Sequence, residues 1–243
     1  MRSKRLSMRA TPTGLPSRYR RTCGVAQKIM RLRDQPRVIF CDWHGVLCRK
    51  PFWHSITDNP GHSSHTILTR ELDRLFTPGN REGRDLCGTR TSRDILTHLA
   101  TQHRDLDVDL LLTQLVDDSA AMPVDQPLIN ALHRARSHTT VVLATDNIDQ
   151  FSSTFRTAAA RTDHRPATPA RMQTIAAKFD DILSSSEIGV LKVEDPEYFF
   201  GPRLKRTGLA WSDALLIDDR PANCRAFEEM GGTALEWVTH SAE

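Results

Sequence analysis

Short apolar runs, each followed at once by a polar residue, are the strongest pattern in this chain. Continuous apolar runs of this length are typical of strands buried on both faces of a parallel sheet. The pattern predicts four strands: Arg37–Cys41 before Asp42, Thr140–Ala144 before Thr145, Ala214–Ile217 before Asp218 and Asp219, and Thr233–Val238 near the end of the chain. Ligands of open α/β sheets bind beyond the carboxyl ends of the strands, so the polar residues at these ends are the first candidates for a functional site.

Apolar residues between the first two predicted strands repeat at the spacing of helices. An N-cap at Asp107 and apolar residues three and four positions apart predict a helix over Val108–Val116. Further helices are predicted around Ile67–Leu75, around Ile95–Leu99 and over 123–137. We therefore predict a helical cap over residues 51–137, placed as a lid near the carboxyl end of the first strand.

The second half of the chain alternates between helix and strand patterns. Residues 156–172, which are rich in Ala, Thr and Arg, predict a helix followed by a loop. Pro221 and Gly231 bracket a predicted helix over Ala222–Met230. The predicted fold class is α/β, a Rossmann-like doubly wound parallel sheet with a small α-helical cap inserted after the first strand. The predicted parts are a core of residues 37–50 and 138–243, the cap of residues 51–137, and an N-terminal extension of residues 1–36.

Composition agrees with a globular chain. The 243 residues are 39% hydrophobic and 26% charged, which excludes collagen-like and wholly disordered chains. No apolar run approaches the ~18–20 residues of a membrane helix, so no membrane partner is expected. The five cysteines are scattered without a CxxC pair, which predicts a reducing, cytoplasmic location and argues against a disulfide framework or a cysteine zinc site.

The net charge of +3 is concentrated at one end. Residues 1–37 contain eleven of the 33 Lys and Arg residues and one of the 30 acidic residues. With histidine neutral, the remaining 206 residues therefore carry about −7. The basic end fits a nucleic-acid arm, a transit-type presequence or a lipid-surface patch. A solvated extension, or a start assigned too early with Met8 or Met30 as the later start, is favoured, because the tail holds too few aromatic residues to stack on bases.

Carboxylates gather at the predicted strand ends. A single Asp such as Asp42 is most simply explained as a helix cap, but Asp218 and Asp219 follow another strand of the same sheet. Several carboxylates at one sheet edge are costly unless a cation neutralises them, and oxygen ligands of this kind suit Mg²⁺. Thr145 adds a hydroxyl and Lys192 a positive charge, so the set as a whole favours phosphoryl transfer.

Four segments that carry these residues occur in a fixed order. They are Val38–Leu47, Val141–Asn147, Ser184–Lys192 followed by Asp195 and Pro196, and Leu215–Asn223. Together they resemble the four motifs of the haloacid dehalogenase (HAD) superfamily of phosphohydrolases. The resemblance covers about residues 37–240, and a helical insert between the first two motifs is similar to that family's C1-type cap.

The resemblance implies a covalent mechanism. Asp42 would attack phosphorus and form an aspartyl-phosphate. Mg²⁺ would be the cofactor, and its ligands would be Asp42, Asp219, the backbone carbonyl of His44, and Asp218 as a ligand or as an acceptor behind the ligands. The ion would shield the nucleophile from the anionic substrate and stabilise charge in the transition state.

The resemblance also implies how the substrate is bound. Thr145 and Lys192 would hold the phosphoryl oxygens, and Lys192 would also restrain Asp42. Asp146 and Asn147 follow Thr145 and would lie beside the phosphate. Asp146 stands where the family often has Asn, so its charge either faces the phosphate or turns away. The segment after Lys192 is one residue longer than the usual motif, which leaves the register of the next loop open.

His44 is the main departure from the family pattern, because most family phosphatases have an acid–base Asp at this position. His44 either supplies only its backbone, or its imidazole protonates the leaving group and then activates water. Neighbouring carboxylates are expected to raise its pKa and keep it charged near neutral pH. The family's dehalogenases usually have an aromatic residue here, so His44 does not favour that branch.

The implied function is a Mg²⁺-dependent phosphatase, a phosphoric monoester hydrolase acting on a small phosphorylated metabolite. The alternatives are a phosphomutase of the same superfamily and a catalytically weakened, HAD-like binding or regulatory protein. Nucleic acid is not favoured as a partner, because only the basic tail supports it. Trp43 and Trp53 flank the start of the cap and either line the pocket or pack in the core, and the latter is the commoner use of tryptophan. Metal binding by a cluster of His54, His62 and His65 is not favoured, since no predicted face gathers them.

Overall fold

A five-stranded, all-parallel sheet forms the centre of the protein. The computed structural model describes residues 36–76, 81–160 and 170–238. The strands lie in the order β3-β2-β1-β4-β5 and span Val38–Cys41 (β1), Thr140–Thr145 (β2), Asp181–Ser184 (β3), Ala214–Asp218 (β4) and Thr233–Glu236 (β5). Helices flank the sheet, which confirms the predicted α/β fold class.

The sequence pattern missed one strand. β3 has only two apolar residues, Ile182 and Leu183, between the polar Asp181 and Ser184, so it lacks the continuous apolar run that revealed the other strands. In the sheet it pairs with β2, and Thr145 lies opposite Ser184. The third motif-like segment, Ser184–Lys192, therefore begins at the end of β3, beside Thr145.

Alternating side chains of the strands contribute to two buried clusters, one on each face of the sheet. In β1, Ile39 and Cys41 belong to the larger cluster, whereas Val38 and Phe40 belong to the smaller one. The pairing of β1 with both β2 and β4 leaves it covered on every side. Burial on both faces explains why this strand is apolar throughout.

The chain between β1 and β2 is helical, as its apolar spacing predicts. The segments are α1 (His54–Thr57), α2 (His65–Phe76), a 3₁₀ helix (Arg81–Cys87), α3 (Ser92–Gln102), α4 (Val108–Ala121) and α5 (Gln126–Ala135). The side chain of Asp107 accepts a hydrogen bond from the backbone N–H of Leu110, which caps α4 at the predicted residue. Leu96, Leu111 and Leu115 are part of the same buried cluster as Ile39. The division of the chain into a core and a separate cap stays a prediction.

Helices and the remaining strands alternate after β2. The helices are α6 (Asp149–Ala160), α7 (Ala170–Ala176), α8 (Ser185–Ile188), α9 (Pro196–Thr207) and α10 (Pro221–Glu229), with a 3₁₀ turn at Trp211–Asp213. The prediction for 156–172 is wrong in part, because α6 begins earlier and a second helix begins at Ala170, while residues 161–169 lie outside the described residues. Pro221 is the first residue of α10, and Gly231 has a left-handed φ of 95° beyond its end.

The predicted N-terminal extension lies almost entirely outside the part of the chain that the structure describes. Residues 1–35, which carry the predicted extension except for Pro36, lie outside the described residues. Within the described part of the chain, no helix is both long and apolar enough to cross a membrane. The cysteines that the structure describes, Cys41, Cys48, Cys87 and Cys224, are all free and buried.

Candidate active site

The strand order brings the predicted site residues to one edge of the sheet. Asp42 follows β1, Thr145 ends β2 and Asp218 ends β4, and β1 lies between the other two strands. Cys41 is paired with Leu143 on one side and with Ile217 on the other, so the three strands end within two residues of one another along the sheet edge. Parallel pairing thereby gathers side chains that are more than 170 residues apart in sequence.

Lys192 lies at the centre of this edge and is 1% exposed. Its Nζ lies 2.6 Å from Asp218 Oδ2, 3.1 Å from Asp42 Oδ1 and 3.2 Å from the backbone oxygen of Ala144. Burial alone would lower the pKa of Lys192, but the carboxylates of Asp218 and Asp42 outweigh it and raise the pKa above its ordinary value. The ammonium group therefore stays charged and links the two carboxylates.

The carboxylates carry more negative charge than Lys192 neutralises. Burial raises the pKa of Asp42 to about 7, with Lys192 acting against this shift and Asp218 adding to it. Burial and the charge of Asp218 also raise the pKa of Asp219. Oxygen atoms of Asp42, Asp218 and Asp219 lie within 4.8 Å of one another. Since ionised carboxylates this close repel each other, the group is suited to hold a divalent cation.

Gly45 leaves the space that the Asp219 carboxylate occupies. It has a left-handed φ of 81°, and a Cβ atom at this residue would lie 1.9 Å from Asp219 Oδ2. Any other residue would therefore displace the carboxylate as well as strain the backbone. The turn after Asp42 thus leaves room for the carboxylate of Asp219, which directly follows β4.

The residues after β2 are held by the third motif. Thr145 is 1% exposed, and its Oγ1 accepts a hydrogen bond of 3.2 Å from Asn147 Nδ2. Asp146 Oδ1 accepts a bond of 3.1 Å from the backbone N–H of Lys192, and burial raises the pKa of Asp146. This bond gives the Asp146 carboxylate a role in fixing Lys192, which the sequence left open.

The expected protonation of His44 is wrong. Burial, reinforced by the charges of Arg220 and Lys192, lowers the pKa of His44 to about 4 against the opposing effect of a hydrogen bond to Lys50. The ring lies edge-on to Phe52 with 4.9 Å between centroids, and Nε2 is 3.2 Å from the backbone oxygen of Lys50. Removal from water outweighs this hydrogen bond, so the imidazole is neutral near neutral pH. The backbone role of His44 stays a prediction.

Both tryptophans pack in the core. Trp43 and Trp53 are no more than 1% exposed. Trp43 Nε1 donates to Met122 Sδ at 3.2 Å, and Trp53 Nε1 donates to the backbone oxygen of Leu111 at 2.8 Å. Their polar atoms are thus satisfied by α4 and by the residue that directly follows it, and the packing interpretation holds for both residues.

The histidines of the predicted cluster do not gather around a common point in the described part of the chain. Among the described residues, the cluster of Asp42, Asp218 and Asp219 is the one group of side chains whose ligand atoms lie close enough for a metal ion. His62 Nδ1 bonds instead to the backbone of Ser64, and His65 Nδ1 lies near the backbone oxygen of Ile56. Both contacts are local, because they join residues no more than nine positions apart in the chain.

Two residues of the site received no role from the sequence. Asn223 Nδ2 donates to both oxygens of Asp218 at 3.1 Å, and Ser185 Oγ accepts a bond of 3.0 Å from the backbone N–H of Asn147. Both residues lie inside segments that carry the motif resemblance, which was the available signal. Ser185 bonds to a residue 38 positions away in the chain, and Asn223 reaches back from α10 to the end of β4. Both contacts therefore depend on the fold.

Comparison with solved structures addresses the fold directly. A predicted HAD-like family hydrolase from Porphyromonas gingivalis matches with a TM-score of 0.58 and 17% sequence identity, and the match covers 83% of this chain and 90% of that chain. A HAD family enzyme from Bacteroides thetaiotaomicron, in complex with magnesium and inorganic phosphate, matches with a TM-score of 0.59 and 14% sequence identity, and the match covers 83% of this chain and 93% of that chain. The chain has the HAD-like fold. L-2-haloacid dehalogenase from Xanthobacter autotrophicus shares this HAD-like fold with a TM-score of 0.55 and 10% identity over 83% of this chain and 77% of that chain. No family model and no curated protein matches the sequence.

Proposed function

We propose that this HAD-like chain is a Mg²⁺-dependent phosphatase that hydrolyses a small phosphomonoester through an aspartyl-phosphate on Asp42. The observation that carries the proposal is the cluster of Asp42, Asp218 and Asp219 with Lys192 Nζ bonded between the first two. Clustered carboxylates need a cation, and a cation beside a carboxylate nucleophile is the arrangement for transfer of an anionic phosphoryl group. The magnesium and phosphate bound to the Bacteroides relative support the same choice of ion and ligand.

The residues fit a resident Mg²⁺ ion. Asp42, Asp219 and the backbone carbonyl of His44 would hold it, with Asp218 beside them, because the carboxylate oxygens of the three Asp residues lie within 4.8 Å of one another. When bound, Mg²⁺ would neutralise this charge and that of the substrate phosphate and would stabilise charge in the transition state. Asp218 is also engaged by Lys192 and Asn223, which suits it to orienting these side chains.

The proposed reaction has two steps. An oxygen of Asp42 attacks phosphorus, the P–O bond to the alcohol breaks, and the alcohol leaves with a proton from solvent. Water then attacks phosphorus and gives up a proton to solvent, the P–O bond to Asp42 breaks, and inorganic phosphate is released with the Asp42 carboxylate restored. During both steps Lys192 and Thr145 hold the phosphoryl oxygens. The substrate is small, because Asp42, Thr145 and Lys192 are all buried.

One observation favours a second candidate, a binding protein with weakened catalysis. His44 stands at the family's acid–base position, and its lowered pKa leaves it neutral near neutral pH. Loss of a positioned proton donor typically costs ~10²–10⁴-fold in rate, so slow turnover agrees with this site. A phosphomutase is less well supported, since repeated transfer needs efficient proton exchange.

Removal of the metal is expected to abolish phosphate release. The full chain, incubated with an aryl phosphate and a panel of metabolite phosphomonoesters, should release phosphate with Mg²⁺ and lose it in EDTA, with full recovery when Mg²⁺ is restored. Halide release from 2-haloacids, assayed in parallel, should be absent. Halide release that persists in EDTA would instead identify a dehalogenase, and binding of phosphate without release from any ester would identify the binding protein.

Replacement of Gly45 by Ala is expected to weaken metal binding. The added Cβ would overlap Asp219 Oδ2, and a displaced ligand should lower the Mg²⁺ affinity by ~10–100-fold. Titration calorimetry with Mg²⁺ measures this directly. Gly208→Ala is the matched control, because Gly208 also has a positive φ, of 65°, but a Cβ there meets nothing within 4 Å. Equal Mg²⁺ affinity in both variants would remove Asp219 from the metal site.

A further inference from the structure

The hydroxyl group of Ser185 joins two segments that are remote in sequence. Ser185 is the first residue of α8 and is fully buried. Its Oγ donates to the backbone oxygen of Leu86 at 2.5 Å and accepts from the backbone N–H of Asn147 at 3.0 Å. Leu86 belongs to the 3₁₀ helix Arg81–Cys87, whereas Asn147 follows β2 at the candidate active site. One hydroxyl therefore connects the helical region before β2 with the loop that directly follows Thr145 at the end of β2.

The connection continues to the phosphate-binding hydroxyl. Asn147 Nδ2 donates to Thr145 Oγ1 at 3.2 Å. A hydroxyl that accepts a bond in this way keeps its own proton to donate, so Thr145 is oriented to give that proton to a third group. Asn147 is thus held through its backbone by Ser185 and contacts Thr145 through its side chain, so the position of one residue links Leu86 and Ser185 to the Thr145 hydroxyl.

The 3₁₀ helix is docked on α8 at close range by a second contact. Gly88, directly after this helix, has a φ of 73°, and a Cβ atom there would lie 2.2 Å from the backbone oxygen of Ser186. The backbone of Gly88 therefore packs directly against the backbone of Ser186. A backbone oxygen cannot swing aside as the end of a side chain can, so a larger residue at position 88 would push the two segments apart. This contact is independent of the Ser185 hydroxyl and places the same two segments together.

We propose that Ser185 is a positioning residue that couples docking of the 3₁₀ helix Arg81–Cys87 to the orientation of the Thr145 hydroxyl. The catalytic part of this inference rests on the proposed function, in which Thr145 binds a phosphoryl oxygen. Docking prepares the phosphate site, and phosphate binding in turn stabilises docking, because coupling between two sites is reciprocal. The cap segment and the phosphate site thereby act as one unit.

Amide hydrogen exchange by NMR on the full chain tests the coupling without any assay of activity. Gly88→Ala disturbs docking without touching the active site, and we expect the amide of Asn147 to exchange at least ~10-fold faster in this variant. Ser185→Ala should likewise speed exchange of the Gly88 amide, which bonds to the backbone oxygen of Asp85. Gly208→Ala, with the same positive φ and no contact, is the control for backbone strain. An Asn147 amide that exchanges at the wild-type rate in Gly88→Ala would overturn the coupling.

Steady-state kinetics and phosphate inhibition test the positioning role. Misplacing a binding group without removing it should raise KM for the aryl phosphate and the inhibition constant of inorganic phosphate together, by ~10–100-fold, in both Ser185→Ala and Gly88→Ala. Ser186→Ala is the control, since the Ser186 hydroxyl bonds to Ser152 and Ser184 and not to either segment. A fall in kcat with unchanged KM and phosphate affinity would refute the role.

The two measurements separate this inference from the proposed function. If the wild type releases no phosphate but Gly88→Ala still speeds exchange at Asn147, the proposed function fails and the coupling stands. If the wild type is an active phosphatase and exchange at Asn147 does not respond, the coupling fails and the function stands. Gly88→Ala keeps the test valid should Ser185→Ala fail to fold, because only the latter leaves two buried backbone groups without a partner.

Discussion

Phosphate release is expected to fall by at least ~10⁴-fold when Asp42 is replaced by Asn, because an amide cannot form the covalent intermediate. The change is nearly isosteric and keeps an oxygen able to accept from the backbone N–H of Trp43, which donates to Asp42 Oδ1 at 2.7 Å. Lys192 retains its 2.6 Å contact with Asp218. The variant should therefore fold while losing its nucleophile.

Two measurements check this expectation. Phosphate release from an aryl phosphate with Mg²⁺ gives the loss in rate, and rapid acid quenching with labelled substrate detects the phosphoenzyme, which must be absent in Asp42→Asn. Asp109→Asn serves as the control, because Asp109 is an exposed carboxylate on α4 that pairs with Arg93. Covalent labelling of Asp42→Asn, or release within ~10-fold of the wild-type rate, would assign the nucleophile to another residue.

A gain of activity is the second large effect, and it is expected for His44→Asp. The imidazole is neutral near neutral pH, since its pKa is lowered to about 4, and a weak base of this kind cannot protonate a departing alcohol. An Asp at the same position restores the acid–base group of the resembled family, and burial would raise its pKa toward the range that suits a proton donor. Hydrolysis of alkyl phosphomonoesters should accelerate by ~10²-fold.

His44→Asn is the matched control, because it has the shape of the Asp side chain without its proton. We expect its kcat to stay within ~3-fold of the wild-type value, since a residue that supplies only its backbone loses nothing essential. A fall of ~10²-fold or more in His44→Asn would instead make the imidazole the acid–base group. Equal rates for His44→Asp and His44→Asn would show that proton transfer does not limit turnover.

Stability against pH checks the charge state of His44 without an assay of activity. The pKa is lowered from 6.5 in the unfolded chain to about 4 in the fold, so between these values the unfolded state binds more protons. The stability contributed by neutral His44 is complete above pH 6.5 and is lost as the pH falls toward 4, a change of about 3 kcal/mol. In EDTA, the free energy of unfolding of the wild type should fall by this amount relative to His44→Asn.

The sequence predicted those helices and strands whose own residues show a distinctive hydrophobic pattern or a helix cap. Buried parallel strands require continuous apolar runs, which is why β1, β2 and β4 could be located, and an Asp before a helical period located the start of α4. β3 was missed because only Ile182 and Leu183 are apolar in it. Its place in the sheet comes from pairing with β2, which the segment itself does not encode.

The candidate site also has features that the sequence predicted and features that depend on the folded structure. The sequence by itself determined which chemical groups end the strands, and therefore that Asp42, Thr145 and Asp218 share one edge, because parallel strands of one sheet align their carboxyl ends. Only the tertiary structure decided that Lys192 bonds Asp218 at shorter range than Asp42, that His44 is neutral, and that Ser185 joins Leu86 to Asn147. These properties depend on burial and on distances between residues far apart in the chain, and packing alone sets both.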